Sequence, residues 1–150
     1  MKKDFSKWVR WADRSTLDDL SYPGIYALAV SVKDISNESF EWRKEIVYIG
    51  MTNSIGGLKS RLNQFDNTIK GKEGHGGARR FRYKFSEYSA LTKRLFVSIK
   101  PFICDVKSGS PKDLRIMGSI AQYEYECFAC YVEKFGRLPE FNDKKRSPKK

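Results

Sequence analysis

GIYALAVSV (residues 24–32) and EIVYIG (residues 45–50) decide the fold of this chain. Both are rich in the β-branched, aromatic and small apolar residues that favour strands. The intervening residues 33–44 are too charged and polar to belong to a core, so the two strands are expected to pair antiparallel. We predict a register that sets Tyr26 opposite Tyr48. Both phenols would then lie on one face of the sheet, beside glycines that let a ligand's backbone approach.

Four further segments carry periodic patterns. Residues 5–20 predict a short N-terminal helix with Trp8, Val9, Trp11 and Leu17 as packing residues. Residues 57–67 predict a helix because Leu58, Leu62 and Phe65 repeat at helical spacing. Residues 94–104 predict a third strand, with Pro101 at an edge or a strand end.

A long helix is predicted from Pro111 to about Phe135. Ser110 is its expected N-cap, Pro111 suits the first helical position, and Asp113 lies in the first turn. Gly136 would close the helix, and Gly118 would kink it or divide it in two.

Composition bounds the class of protein. The chain has 150 residues, of which 40% are apolar, and a formal net charge of +11. These values favour one folded domain over residues 1–143, with a helical extension at 1–21 and a basic disordered tail at 144–150. The charge favours a polyanionic partner, nucleic acid before an anionic membrane. Without a membrane span or a secretory signal in the pattern, we expect a soluble, cytoplasmic protein.

The three cysteines are interpreted as core thiols. Cys127 and Cys130 have the spacing of a redox or zinc motif, but they fall inside a helical pattern. A zinc site needs four ligands, and beyond Cys104 the only other soft ligand is His75.

Two side chains on helices are candidates for phosphate chemistry. Arg61 borders the apolar face of its helix, where it could either extend its head to water or hold a phosphate. Glu124 lies on the apolar side of the long helix, where a carboxylate is costly unless it is paired or binds a metal ion. Glu126 lies on a more polar strip, so we prefer Glu124 as the functional carboxylate and keep Glu126 as the alternate.

The remaining candidates lie in predicted loops. His75 is the only histidine, and its glycine- and arginine-rich surroundings suit a phosphate contact or proton transfer, although loop histidines are often idle. Asn142 could be a turn residue. Residues 70–84 predict a mobile cationic loop, whose basic residues are Lys70, Lys72, Arg79, Arg80, Arg82 and Lys84.

Together these residues resemble the GIY-YIG nuclease superfamily. The matching pieces are Gly24-Ile25-Tyr26, Tyr48-Ile49-Gly50-Met51-Thr52, Arg61-Leu62, a glutamate in a later helix, and Pro139 followed by Asn142. The resemblance spans residues 22–143. It implies a mixed α/β domain of the α+β type, with a central three-stranded antiparallel sheet flanked by helices.

The resemblance also implies roles. Tyr26 and Tyr48 would line the site, one of them helping to activate a water that attacks a DNA phosphodiester, with nearby cations lowering the phenol pKa. Arg61 would clamp the phosphate, Glu124 would bind Mg²⁺ or Mn²⁺, and Asn142 would support the site. The chain departs from the family in its longer spacing between the two strings, in Phe65 where many members have histidine, and in a longer final helix. His75 is a candidate replacement for that histidine.

DNA is the expected partner, held by the basic segments 70–84 and 144–150, with Tyr83 or Phe81 available to stack on bases. The sequence leaves monomer and homodimer open. The alternative function is a nucleic-acid-binding protein that retains the fold without catalysis.

Overall fold

The computed structural model describes residues 5–72 and 76–143. Its strands are β1 (Val9–Arg10), β2 (Gly24–Val30), β3 (Ile46–Thr52) and β4 (Leu95–Pro101). Its α-helices are α1 (Gly57–Ile69), α2 (Gly76–Lys84), α3 (Tyr88–Thr92) and α4 (Pro111–Phe135), and two 3₁₀ helices cover Trp11–Thr16 and Glu140–Asn142. No α-helix in these two ranges is long and apolar enough to cross a lipid bilayer.

The strands form one antiparallel sheet in the order β1-β4-β2-β3. The α+β class is therefore confirmed, but the sheet has four strands and not three. The extra strand, β1, pairs only Val9 with Val97 and Arg10 with Phe96. Two residues are too few to give an alternating pattern in the sequence. Pro101 ends β4, as predicted.

The helix predicted over residues 5–20, and with it most of the helical extension at 1–21, is wrong. Trp8 is buried in the core on one face of the sheet and Trp11 in the core on the other face. A helix would place two residues three apart on the same side, whereas this segment must reach both faces. Residues 6–10 therefore run along β4, where Ser6 N donates to Ile99 O at 2.8 Å, and within the described part of this segment only Trp11–Thr16 is helical.

The predicted register of β2 and β3 is wrong by two residues. Tyr26 lies opposite Gly50, and Tyr48 lies opposite Leu28. A shift of two keeps every side chain on its predicted face, so both phenols still project from the same side. The observed pairing sets a large ring against glycine, where the predicted one would have set two rings against each other.

Each face of the sheet is covered by its own core. One face packs Tyr26, Leu28 and Val97 against α1, α2, α3 and Phe141. The other face packs Ile25, Ala27 and Phe96 against α4 and the N-terminal segment. The strands between are consequently apolar on both sides, which is why β2 is almost wholly buried.

Residues 33–44 also contribute to the second core, contrary to the prediction. Ile35 and Phe40 are buried, and the Phe40 ring stacks on Phe5 with centroids 4.1 Å apart. These two apolar residues were missed in the sequence because polar residues surround them. Among the cysteines, Cys127 is buried in this core as predicted, while Cys104 and Cys130 are partly exposed.

The predicted helices over 57–67 and 111–135 are confirmed. In α4 the Ser110 hydroxyl accepts from Asp113 N, Gly136 closes the helix with φ 75°, and the helix passes Gly118 without being divided. At the start of α1 no side chain caps the helix; Leu58 N and Lys59 N donate to the carbonyls of Tyr22 and Leu20.

The predicted loop at 70–84 is largely helical. Residues Gly76–Lys84 form α2, because Ala78 and Phe81 supply an apolar side that packs into the first core. Glycines and charges dominated the sequence pattern and hid this short amphipathic helix. Phe81 is fully buried against Phe65 and Phe141, which excludes it as a base-stacking residue in this structure; Tyr83 is exposed. The tail at 144–150 lies outside the described residues.

Candidate functional site

Two tyrosines lie side by side on one face of β2 and β3. The ring centroids of Tyr26 and Tyr48 are 6.0 Å apart, with an angle of 41° between the ring planes. Tyr26 is fully buried, whereas Tyr48 is partly exposed. Of the two, Tyr48 is the phenol that a bound molecule can reach.

Two glycines make room for these rings. A Cβ atom built on Gly50 would lie 2.5 Å from Cζ of Tyr26, and one on Gly77 would lie 2.5 Å from Cζ of Tyr48. A Cβ on Gly24 would meet the carbonyl oxygen of Lys100 on the neighbouring strand. The expectation that Gly24 and Gly50 admit a ligand's backbone is therefore corrected: both are filled by the protein itself. Gly77 was missed because the Gly76-Gly77 pair indicated a loop.

The electrostatics of the two phenols differ. Burial raises the pKa of Tyr26 well above its ordinary value, and the neighbouring Tyr48 raises it further, against the lowering influence of Arg61. Burial also raises the pKa of Tyr48, but Arg61, a hydrogen bond with Tyr26 and the charge of Arg80 all lower it. The expected lowering by cations is thus present but is outweighed by desolvation. Deprotonation is therefore opposed less at the Tyr48 hydroxyl than at the Tyr26 hydroxyl.

Arg61 projects from α1 to this pair. It is partly buried and hydrogen-bonds the Tyr26 hydroxyl, and its Nη1 donates to Gln64 Oε1 at 3.2 Å. Its buried Nε finds no acceptor within residues 5–72 and 76–143. The Nη1 end lies at an exposed position, where a guanidinium can bind an anionic oxygen.

Glu124 lies on α4 and interacts electrostatically with Arg61 and Tyr48. Burial raises the pKa of its carboxyl group, and the positive charge of Arg61 lowers it. The charge of Glu124 in turn raises the pKa of Tyr48. In the part of the chain that the structure describes, this half-buried carboxylate forms no hydrogen bond and no ion pair. Its oxygens therefore remain available to a ligand.

Glu126 has different surroundings. It is exposed and lines a shallow surface cavity with Phe102, Ser119, Gln122 and Tyr123. Its charge raises the pKa of Cys127 and Cys130. The charge of Glu124, by contrast, acts on Tyr48.

Asn142 supports the strand that carries Tyr48. Its side-chain Oδ1 accepts from Ile49 N and its Nδ2 donates to Ile49 O, both at 2.9 Å. The amide thus imitates a neighbouring strand at the outer edge of β3. The sequence suggested only a local turn at Asn142. Its side chain instead binds a distant strand and holds the middle of the Tyr48-Ile49-Gly50 string from outside the sheet.

The basic residues of the 70–84 segment differ in their burial and in their partners. Arg80 is buried and its charge acts on Tyr48, so it belongs to the site core and not to an outer binding surface. Lys70 pairs with Asp66 at 2.9 Å and Lys84 with Glu140 at 2.8 Å. The other three are exposed: Lys72, Arg79 and Arg82. His75 lies outside the described residues.

Phe65 takes the place where many members of the resembled family have histidine. It is fully buried, with ring centroids 5.4 Å from Trp11 and 6.4 Å from Tyr48. A titratable ring at this position would have to be buried among aromatic side chains. Phe65 therefore serves packing beneath the site and offers no proton-transfer group.

No cluster of three or more His, Cys, Asp or Glu side chains that could hold a metal ion occurs within the described ranges. Among the site residues, Glu124 offers carboxylate oxygens to a metal ion, and water and substrate oxygens would complete the coordination. Mg²⁺ is commonly bound by one or two carboxylates together with phosphate oxygens. The available hard oxygen donor fits this ion.

Comparison with known proteins gives no relatives: no family model, no curated protein and no solved structure matches this chain.

Proposed function

We propose that this protein is a nuclease of the GIY-YIG type, acting in the cytoplasm, that hydrolyses DNA phosphodiester bonds with the help of a divalent metal ion. The observation that carries the proposal is the electrostatic coupling of Tyr48, Arg61 and Glu124, which lie on three separate elements, β3, α1 and α4. Arg61 lowers the pKa of both Tyr48 and Glu124, and Glu124 raises the pKa of Tyr48. A structural role alone gives no reason to leave the Glu124 carboxylate half-buried and without a hydrogen bond.

Glu124 is the residue that would hold Mg²⁺ or Mn²⁺. When bound, such an ion supplies positive charge that polarises a phosphate and promotes deprotonation of water. The exposed Glu126 is the alternate, but it lacks the neighbouring Arg61 and Tyr48.

Arg61 is assigned to the phosphate. Its guanidinium is always charged, and its Nη1 lies at an exposed position beside Gln64. Donation to a non-bridging oxygen would strengthen as negative charge accumulates in the transition state, which is the interaction that accelerates a reaction.

Tyr48 is assigned to the attacking water. The water oxygen forms a bond to phosphorus, the bond from phosphorus to the leaving sugar oxygen breaks, and a water proton passes to the Tyr48 oxygen. The leaving oxygen takes up a proton from solvent. Tyr26, fully buried, is a positioning residue that hydrogen-bonds Tyr48 and Arg61 from below.

The first test is nicking of supercoiled plasmid with Mg²⁺ and with EDTA, measured by gel electrophoresis. Wild type is expected to nick only with Mg²⁺. Arg61→Gln should slow nicking about 100-fold or more, since it removes a transition-state contact. The matched control Arg82→Gln, an exposed arginine on α2, should retain the rate at saturating DNA. Binding of DNA without metal-dependent nicking by wild type would instead establish the non-catalytic alternative.

A further inference from the structure

The outer side of α4 carries a continuous uncharged stripe. Its members recur at spacings of three and four residues, which aligns them along one side of a helix. We call this the α4 stripe: Leu114, Gly118, Ala121, Tyr125, Ala129 and Val132. All six are exposed. The opposite side of the same helix is the one buried in the second core, through Ile120, Cys127 and Tyr131.

The exposure of the large members is high. Leu114 is 54% exposed, Tyr125 72% and Val132 40%. Eighteen residue steps at about 1.5 Å each make the α4 stripe about 27 Å long. Single exposed apolar residues are ordinary, but an aligned row of this length is typical of an interaction surface.

Gly118 gives an independent indication. A Cβ atom there would meet nothing within 4 Å, so the packing of the single chain does not require glycine. Glycine inside a helix costs about 1 kcal/mol relative to alanine. A closely approaching second backbone would account for a glycine that the chain's own fold does not use.

Charge indicates the kind of partner. The chain as a whole has a net charge of +11. In contrast, the exposed charges of α4 nearly balance, with two acidic residues (Glu126, Glu133) and three basic ones (Lys112, Arg115, Lys134). This near balance offers little cationic surface to DNA or an anionic membrane. It also makes α4 a face where two copies of a basic chain repel each other least.

We propose that the α4 stripe is the interface of a homodimer in which two α4 helices pack antiparallel. An antiparallel pair with matched centres sets Tyr125 of each copy against Ala121 of the other, and Leu114 against Val132. The large Tyr125 ring then faces a small residue, and Leu114 and Val132 bury each other at the two ends of the stripe. The two-fold symmetry makes each contact occur twice.

The charges that flank the stripe agree with this direction. Arg115 and Glu133 lie on the same flank, near opposite ends of α4. In an antiparallel pair, equivalent flanks face each other, so Arg115 lies near Glu133 of the partner subunit. The sequence order of these charges therefore favours antiparallel pairing.

The test is sedimentation equilibrium of the full chain from about 1 µM to about 1 mM, compared with five variants. Wild type should form dimers. Ala121→Glu should weaken dimerisation about 100-fold or more, because two carboxylates would be buried in the interface. The matched control Ala90→Glu makes the same change on the exposed side of α3 and should leave dimerisation unchanged.

A charge exchange tests the direction of pairing. Arg115→Glu alone and Glu133→Arg alone should each weaken the dimer, and the double variant should restore it. Circular dichroism would establish that every variant is folded. A wild-type monomer at all concentrations, or a dimer unaffected by Ala121→Glu, would overturn the interface. Failure of the double exchange to restore the dimer would overturn the antiparallel arrangement. None of these readouts depends on nuclease activity.

Discussion

Tyr26 and Tyr48 are neighbours in space but occupy different environments. The first is sealed beneath the sheet surface and has no access to solvent, while the second retains partial exposure. Burial raises the pKa of both phenols, yet Arg61, Tyr26 and Arg80 act against that rise at Tyr48. These differences favour Tyr48 as the proton acceptor and Tyr26 as the group that holds it in place.

The assignment predicts a pH dependence. A base works only when deprotonated, and the pKa of Tyr48 is raised, so its active form becomes more abundant throughout the range below that pKa. We expect kcat/KM for DNA cleavage to rise about tenfold per pH unit from neutrality into the alkaline range. Tyr48→Phe should lower the rate and remove this slope, while Tyr83→Phe, on an exposed tyrosine, should change neither. A Tyr48→Phe profile with the wild-type slope would contradict the role.

At the scale of elements, Asp66 joins the N-terminal segment to α1 and α3. Its buried carboxylate accepts from Trp11 Nε1 and from the Tyr88 hydroxyl, each at 2.7 Å, and pairs with Arg14 and Lys70. Burial would raise the pKa of Asp66, but the hydrogen bonds from Trp11 and Tyr88 and the two cations outweigh it and lower the pKa. Burial and the bond to Asp66 raise the pKa of Tyr88 to about 12.

We expect Asp66→Ala to lower the free energy of unfolding by about 3 kcal/mol at neutral pH, because it leaves buried partners without an acceptor. Asp18→Ala, on an exposed aspartate, should change it by less than about 0.5 kcal/mol. The lowered pKa means that the stabilisation by Asp66 is present above about pH 4 and is lost as the pH falls toward the folded-state pKa. Urea denaturation at several pH values measures this. If the difference in free energy of unfolding between wild type and Asp66→Ala widened on acidification, the lowered pKa of Asp66 would be contradicted.

The elements with strong local signals could be predicted from the sequence. Helix α4 has a capping serine, a proline at its first position and a closing glycine, and its bounds agree with the prediction. Helix α2 and strand β1 could not be predicted in this way, because each is stabilised mainly by packing against distant parts of the chain. The register of β2 and β3 depended on how one ring fits over Gly50, which a pattern of residue types does not contain.

The candidate site was predictable to a similar degree. Apolar neighbours in the helical pattern singled out Glu124, and in the structure it interacts electrostatically with Arg61 and Tyr48. The inward position of Arg80 and the packing of Gly77 on Tyr48 were not predictable, since both depend on α2 folding back onto the sheet. Asn142 lies 93 residues from the Ile49 backbone that it binds, and local sequence carries no sign of that partner.

At the scale of the whole molecule, net charge is expected to govern DNA affinity. Lys72, Arg79 and Arg82 are exposed cations of the 70–84 segment. We predict that Arg82→Gln reduces the slope of log K against log salt by about 0.9, the value for one lost phosphate contact. Arg43→Gln is the control, because Arg43 is held by Glu38 and Glu45. Fluorescence anisotropy in EDTA measures both slopes, and equal slopes for the two variants would exclude Arg82 from the interface.

The central claim is that Glu124 is the metal-binding carboxylate of a nuclease, and one comparison tests it most directly. Glu124→Gln and Glu126→Gln make the same change two residues apart on one helix. The rate of Mg²⁺-dependent plasmid nicking, measured with DNA binding in EDTA as a control, should fall about 1000-fold or more for Glu124→Gln with binding retained, and should stay near wild type for Glu126→Gln. Loss of nicking in Glu126→Gln with activity kept in Glu124→Gln would contradict the account.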